Sequence, residues 1–346
     1  MGKILTVVIP AYNVEKYLRD TLNSFVSNAI LDDVEILIVN DGSQDSTAVI
    51  AKEYESKYPQ TFRLINKENG GHGSTINRGI QEATGKYFKV VDGDDWVNTT
   101  DFVKLISNLY NESADYVVTK YYKVNEQTGK RTLVTFPYLE NHPTNTFDEC
   151  AYECEIPMHA LCIRTAILKN NNIRLDEHCF YVDVEYILYP IPYVESVQYY
   201  DLAIYMYRLA VETQSVSMQG FQKHLADHVK VSLQLVDYVE SYRNMVETGI
   251  AKHNENLSIA RVQYIGNRVA HMLGVQARVF SSFPSNDKNI KNQFMMYDQT
   301  VYEKSPYMYQ LSTQTSRILR GLRKSNFHFY KFWTLLSKLR MKLRNL

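Results

Sequence analysis

No stretch of the 346 residues approaches the roughly 18 uninterrupted apolar residues that a transmembrane helix needs, which excludes a membrane-spanning chain. Charge of one sign is not in excess either. Lys and Arg number 38, as do Asp and Glu, so nothing electrostatic points to nucleic acid as a partner. Cysteine is scarce, with only Cys150, Cys154, Cys162 and Cys179. His142, His159 and His178 lie nearby, yet there is no C-x-x-C pair and no common zinc spacing, so the thiols read as buried or free. The first apolar run stops at Pro10, too short for the core of an export signal. It reads as a strand, and the expectation is a cytoplasmic protein without disulfides. Internal repeats and low-complexity linkers are lacking too.

Two common phosphate-binding devices are also missing. A dinucleotide fold would place G-x-G-x-x-G after the first strand, where this chain has Pro10-Ala11-Tyr12-Asn13. A P-loop wants Ser or Thr after its lysine, whereas Tyr87 follows Lys86 and the preceding glycines, Gly79 and Gly85, are wrongly spaced.

What is present is an alternation of strand-like and helix-like segments, the mark of an α/β domain with a mostly parallel sheet flanked by helices. Ile4 to Ile9, Val34 to Val39, Arg63 to Asn66 and Tyr87 to Val91 read as strands. Glu15 to Asn28, Ser74 to Ala83 and Thr100 to Asn111 read as helices, and a helix opening at Asp45-Ser46-Thr47 follows the second strand. Asp115 to Val124 and Arg131 to Phe136 read as two further strands joined by a turn. From about Phe221 the apolar residues recur at helical spacing. We therefore expect a catalytic domain over residues 1–217 and a helical region over 218–346.

Polar motifs sit where the strands end, and open α/β sheets place ligands beyond the carboxyl ends of their strands. The run Val91-Asp92-Gly93-Asp94-Asp95-Trp96 puts carboxylates one residue apart. Asp92 and Asp94 supply the hard oxygen ligands that a divalent cation prefers, and such a cation can neutralise a diphosphate leaving group. Tyr12, after Pro10 and before Asn13, offers a ring for stacking on a base. Asp41 offers a carboxylate to a uracil N–H. The loop Asn69-Gly70-Gly71 feeds a helix whose N–H groups can face phosphate.

These motifs, PAYN, NDGSxDxT, NxGxxxxxN and DGDDW, together resemble family 2 glycosyltransferases of the GT-A fold. The resemblance is strong from Ile4 to Asp95 and looser to about Ser217. It implies transfer of a sugar, with inversion, from a nucleotide-diphosphate donor, most often a uridine one, to a hydroxyl of a glycan, glycolipid or glycoprotein. Mn(II) or Mg(II) would bind at Asp92 and Asp94, Tyr12 and Asp41 would contact the base, and Asn77 and Arg78 would shape the donor pocket. It implies Asp183 as catalytic base in Phe180-Tyr181-Val182-Asp183-Val184-Glu185-Tyr186, with Glu185 the competing carboxylate. Arg208 and Ser215-Val216-Ser217 resemble a segment that closes over the donor diphosphate, and His224 is a weaker donor-site candidate. The alternative reading is a nucleotide-sugar-binding protein of the same fold without independent turnover.

The C-terminus has a texture of its own. No acidic residue follows Glu303, while ten cations do: Lys304, Arg317, Arg320, Arg323, Lys324, Lys331, Lys338, Arg340, Lys342 and Arg344. Leu319, Leu322, Phe327, Phe329, Phe332, Trp333, Leu335, Leu336, Leu339 and Leu343 lie among them. From Arg317 onward this reads as a basic amphipathic tail, suited to an anionic membrane surface, or to packing on the helical region or a second subunit.

Overall fold

The computed structural model describes residues 2–209 and 218–343. The chain forms two compact units, Met1–Glu212 and Thr213–Leu346. The expected boundary at Ser217 and the segment Ser215 to Ser217 lie outside the described residues.

The first unit begins with β1 (Leu5–Ala11), α1 (Glu15–Asn23), β2 (Val34–Asp41), α2 (Thr47–Lys57), β3 (Phe62–Lys67), α3 (His72–Glu82) and β4 (Tyr87–Val90). Each helix returns the chain to the same end of the sheet, so these four strands pair in parallel in the order β3, β2, β1, β4. Every residue of β1 is buried, and Val34, Ile36, Leu37, Ile38 and Val39 of β2 are fully enclosed. Each such side chain contributes about 1.5–3 kcal/mol on burial. Of the short polar residues that open α2, Ser46 makes no side-chain cap bond. The Asp45 carboxylate accepts from the Thr47 N–H at 3.0 Å instead.

Beyond β4 the sheet stops being mainly parallel. There follow β5 (Trp96–Val97), α4 (Thr99–Leu109), β6 (Tyr116–Asn125), β7 (Arg131–Val134), α5 (Pro137–Asn141), β8 (Thr144–Thr146), α6 (Phe147–Cys150), β9 (Leu161–Arg164), α7 (Thr165–Asn170), α8 (Asp183–Leu188) and β10 (Ser196–Leu209). β9 runs antiparallel to both β4 and β6, and β10 is parallel to β6 but antiparallel to β5 and β8. The β6–β7 hairpin turns where expected, with Gly129 at φ +67°. In this half only β6 and β7 are joined by a tight turn, and the other connections after β5 carry a short or medium helix. Cys150, Cys162 and Cys179 are buried and Cys154 is half-buried, none of them in a disulfide.

The second unit is helical: α9 (Met218–Lys223), α10 (Leu225–Thr248), α11 (Ile259–Ser282), α12 (Lys288–Lys304), α13 (Pro306–Thr315), α14 (Arg317–Lys324) and α15 (Tyr330–Leu343). Val231, Leu235 and Val239 of α10 and Ile265, Val269 and Phe280 of α11 are buried. Phe280 stacks on Phe294 at 4.7 Å between centroids. Ser258, Asp287, Ser305 and Ser316 cap successive helices with their side chains. Among the described residues no helix is long and apolar enough to cross a membrane.

Candidate active site

The acidic run leaves the C-terminal end of β4, beside the end of β1, where the Gly93 N–H donates to the Pro10 carbonyl at 3.2 Å. Tyr12 is 52% exposed. Asn13 next to it has φ +53°, and its side chain accepts from the Gln44 N–H at 2.8 Å while its own N–H donates to Ser43 Oγ. The first two strand-end loops are thereby laced together, and the Tyr12 ring stands free of the core.

Asp41 is buried at the end of β2. Its carboxylate accepts from the N–H groups of Gly70 and Gly71 at 2.9 and 2.8 Å and pairs with Lys67 Nζ at 2.7 Å. Asn69 Nδ2 donates to the Asp41 carbonyl at 2.9 Å. Here the geometry departs from the sequence reading. The two glycine N–H groups expected to face phosphate, and the carboxylate expected to face a base, are spent on one another and fold the loop.

That loop delivers a residue that motif reasoning missed. His72, the first residue of α3, places Nε2 2.9 Å from Asp92 Oδ1. Burial opposes charging the ring. The Asp92 hydrogen bond and charge, with the attraction of Asp183 and Asp94, outweigh it and hold His72 above the ordinary histidine range. His72 therefore feels both the acidic run and the aspartate that opens α8, two segments far apart in sequence. The signal available was its place between Gly71 and Gly73.

Burial also raises Asp92, but His72 outweighs it and keeps that carboxyl low. Asp94 is pushed up to about 6 by burial and then by the negative charge of Asp92. Asp95 is driven well above the carboxylate range by burial and by both neighbours, with Tyr205 donating to its Oδ2 at 2.6 Å. Like charges are crowded here in a low-dielectric corner, which a cation relieves. Among the described residues no group of three or more His, Cys, Asp or Glu is gathered to hold a metal ion. Two carboxylates completed by diphosphate oxygens is the donor set that Mg(II) commonly takes, and Asp92 and Asp94 fit that role.

Asp183 opens α8 and is half-buried. Glu185 is fully buried, and its carboxylate accepts from the Asp176 N–H at 2.8 Å. The approach to Asp183 is tightly held. Asn77 of α3 exchanges hydrogen bonds with the Leu175 backbone at 2.8 and 2.9 Å and reaches Glu177 Oε1 at 3.0 Å. The His178 N–H donates to the Gly70 carbonyl. A Cβ on Gly73 would sit 2.0 Å from the Asp176 carbonyl oxygen, so only glycine lets α3 approach this closely. His178 and Tyr181 carry positive φ angles of 56° and 70°, strain that such anchoring sustains. Arg78, by contrast, pairs with Glu82 one turn along its own helix at 2.8 Å.

Arg208 takes a different place from an arm extended to phosphate. Its guanidinium is buried between the Tyr17 and Trp96 rings, 4.7 and 4.5 Å from their centroids, donates to the Asp94 carbonyl at 2.7 Å and pairs with Glu126 at 2.5 Å. In this arrangement it braces the acidic run from behind. Tyr121, Tyr205 and Tyr207 surround His159, with centroids at 5.3, 4.8 and 4.2 Å. His224 lies in the second unit, 3.7 Å from Asp227.

The profile "Glycosyl transferase family 2" matches residues 6–169. The first unit carries a family 2 glycosyl transferase domain. The chain is 26% identical to glycosyltransferase EpsJ of Bacillus subtilis over 343 residues, covering 95% of this chain and 94% of that one. It is 33% identical over 182 residues to the minor teichoic acid biosynthesis protein GgaB of the same organism, covering 50% of this chain and only 19% of GgaB. The structure of S. aureus TarS residues 1–349 in complex with UDP-GlcNAc superposes with a TM-score of 0.61 at 18% identity, over 97% of this chain and 92% of that one. That likeness shows the fold, a sheet flanked by helices with a helical C-terminal region.

Proposed function

We propose that this glycosyltransferase moves a sugar from a uridine-diphosphate donor to a hydroxyl of a polysaccharide, glycolipid or glycoprotein in the cytoplasm, with inversion at the anomeric carbon. One observation carries the reading: β4 and α8, far apart in sequence, bring a crowded carboxylate pair and a separate half-buried carboxylate within electrostatic reach of the same histidine.

The Tyr12 ring lies against the base, and the loop held by Asp41 borders the diphosphate. Asp92 and Asp94 would hold Mn(II) or Mg(II), whose chemistry when bound is to neutralise charge on the departing diphosphate. Asp183 accepts the proton of the acceptor hydroxyl as its oxygen attacks the anomeric carbon, and the electron pair of the broken C–O bond leaves on the nucleoside diphosphate. Glu185 positions the base by holding the Asp176 backbone. Because attack and departure occur on opposite faces in one step, the configuration inverts.

The test is a panel of UDP-sugars with Mn(II) and a mixed glycan acceptor, followed by product release. Asp183→Asn should keep UDP affinity and lose transfer by at least about a hundredfold, the contribution of a positioned general base. If Asp183→Asn transferred normally, or if wild type bound UDP-sugars without turnover on any acceptor, the base assignment or the catalytic reading would fall respectively.

A further inference from the structure

The expected basic tail separates in the structure into a packed part and an outward part. Leu319 and Leu322 of α14, and Phe327 after it, are buried. Arg323 belongs to the packed part as well, because its guanidinium meets Asp298 at 2.7 Å with both side chains enclosed. These residues build the helical unit and are removed from any docking surface.

α15 is turned the other way from an ordinary surface helix. Tyr330, Thr334 and Ser337, spaced i, i+4, i+7, are its buried line. Phe332, Leu335 and Leu339, spaced i, i+3, i+7, are 58, 59 and 51% exposed. At 3.6 residues per turn these two lines lie on opposite sides of the helix. Cations flank the apolar line on both sides, with Lys331 and Lys338 along one border and Arg340 along the other. Phe329, 65% exposed, adds an apolar side chain just before the helix starts. The orientation is fixed from beneath: a Cβ on Gly321 would sit 2.2 Å from the Trp333 ring, so α14 and α15 are packed too closely for α15 to roll its apolar line inward.

We propose that this face of α15 docks on an anionic lipid surface. Its apolar residues enter the headgroup boundary, and the flanking lysines and arginine meet lipid phosphates, which is the layout of an interfacial helix. Charge selects this occupant. With no acidic residue after Glu303, a second copy docking face to face would bring cation against cation, whereas an anionic bilayer complements the whole border.

The experiment is co-sedimentation of the full chain with vesicles of phosphatidylcholine alone or mixed with phosphatidylglycerol, at low and high salt. Wild type should pellet with the anionic vesicles at low salt and be released at high salt. The triple variant Phe332→Ser, Leu335→Ser, Leu339→Ser should lose binding at least about tenfold, and Lys331→Glu with Lys338→Glu should lose the preference for anionic lipid. Ile259→Ser, which changes an exposed apolar residue on α11, should bind as wild type does. Circular dichroism and a melting curve check that each variant is folded, as expected since no altered side chain is buried. Unchanged pelleting of both α15 variants, or no pelleting of wild type, overturns the proposal. So does a wild-type dimer that the triple variant turns into a monomer while neither form binds vesicles, since the face would then belong to a second copy.

Discussion

In the helical unit, Arg323 and Asp298 are both buried and meet at 2.7 Å. The guanidinium also donates to the Tyr309 carbonyl and the hydroxyls of Ser312 and Thr313 and lies 3.7 Å from the Tyr309 ring centroid. At the end of β4, buried and half-buried Asp92, Asp94 and Asp95 crowd together with like charge, and burial with mutual repulsion raises Asp94 and Asp95. Buried charge that is matched within the fold serves the fold. Buried charge left facing its own kind costs stability and is retained where a ligand supplies the missing sign.

The sharpest break of this comparison is to neutralise one member on each side. Asp94→Asn should reduce transfer by about a thousandfold, about 4 kcal/mol of transition-state stabilisation, and leave the melting temperature unchanged or higher because repulsion is removed. Steady-state rates with UDP-sugar and Mn(II), read beside a thermal melt, test both halves. A melting point lowered as much as by any core substitution would place Asp94 among the structural carboxylates.

Arg323→Met should do the reverse. Leaving Asp298 buried without its partner costs about 3 kcal/mol of stability, read from urea denaturation. Arg323→Met combined with Asp298→Leu should recover much of that loss, since well-packed apolar residues often replace a buried pair without penalty. If the double variant were no better than the single one, the other bonds of Arg323 would be its main contribution.

The smallest effect concerns His228 of α10, which burial holds at about 4 against an ordinary 6.5. Between those values the unfolded chain binds more protons than the folded one, so stability falls as pH drops from about 6.5 to about 4, with a slope of at most about 1.4 kcal/mol per pH unit. His228→Phe should flatten that part of the urea-denaturation profile. An unchanged slope would assign the pH dependence to other groups.

How much was legible beforehand follows from the range of each interaction. The parallel half of the sheet and the runs at Asp92 to Trp96 and Phe180 to Tyr186 were readable because neighbouring residues carry the pattern. The His72 to Asp92 contact, and the bond from Tyr205 to Asp95, join residues that only the fold brings together, and β9 is four residues long with no alternation to announce it. Arg208 and Arg323 looked like available cations because charge is written in sequence and burial is not. The apolar line of α15 was legible as a line. Its direction was not, since the rule that apolar faces turn inward is overridden by the fit of Trp333 over Gly321.

Asn77 has a consequence of a kinetic kind. Through its bonds to Leu175, and through His178 on Gly70, the loop that the proposed function sets beside the donor is tied to the peptide leading to Asp183. On that proposal, a shift that the donor imposes on the loop is passed to Asp183. Binding of the two substrates is then coupled, and thermodynamic linkage makes the coupling reciprocal: an acceptor analogue tightens UDP by the same factor by which UDP tightens the analogue. Asn77→Ala should weaken that mutual tightening, which titrations of UDP with and without the analogue would reveal.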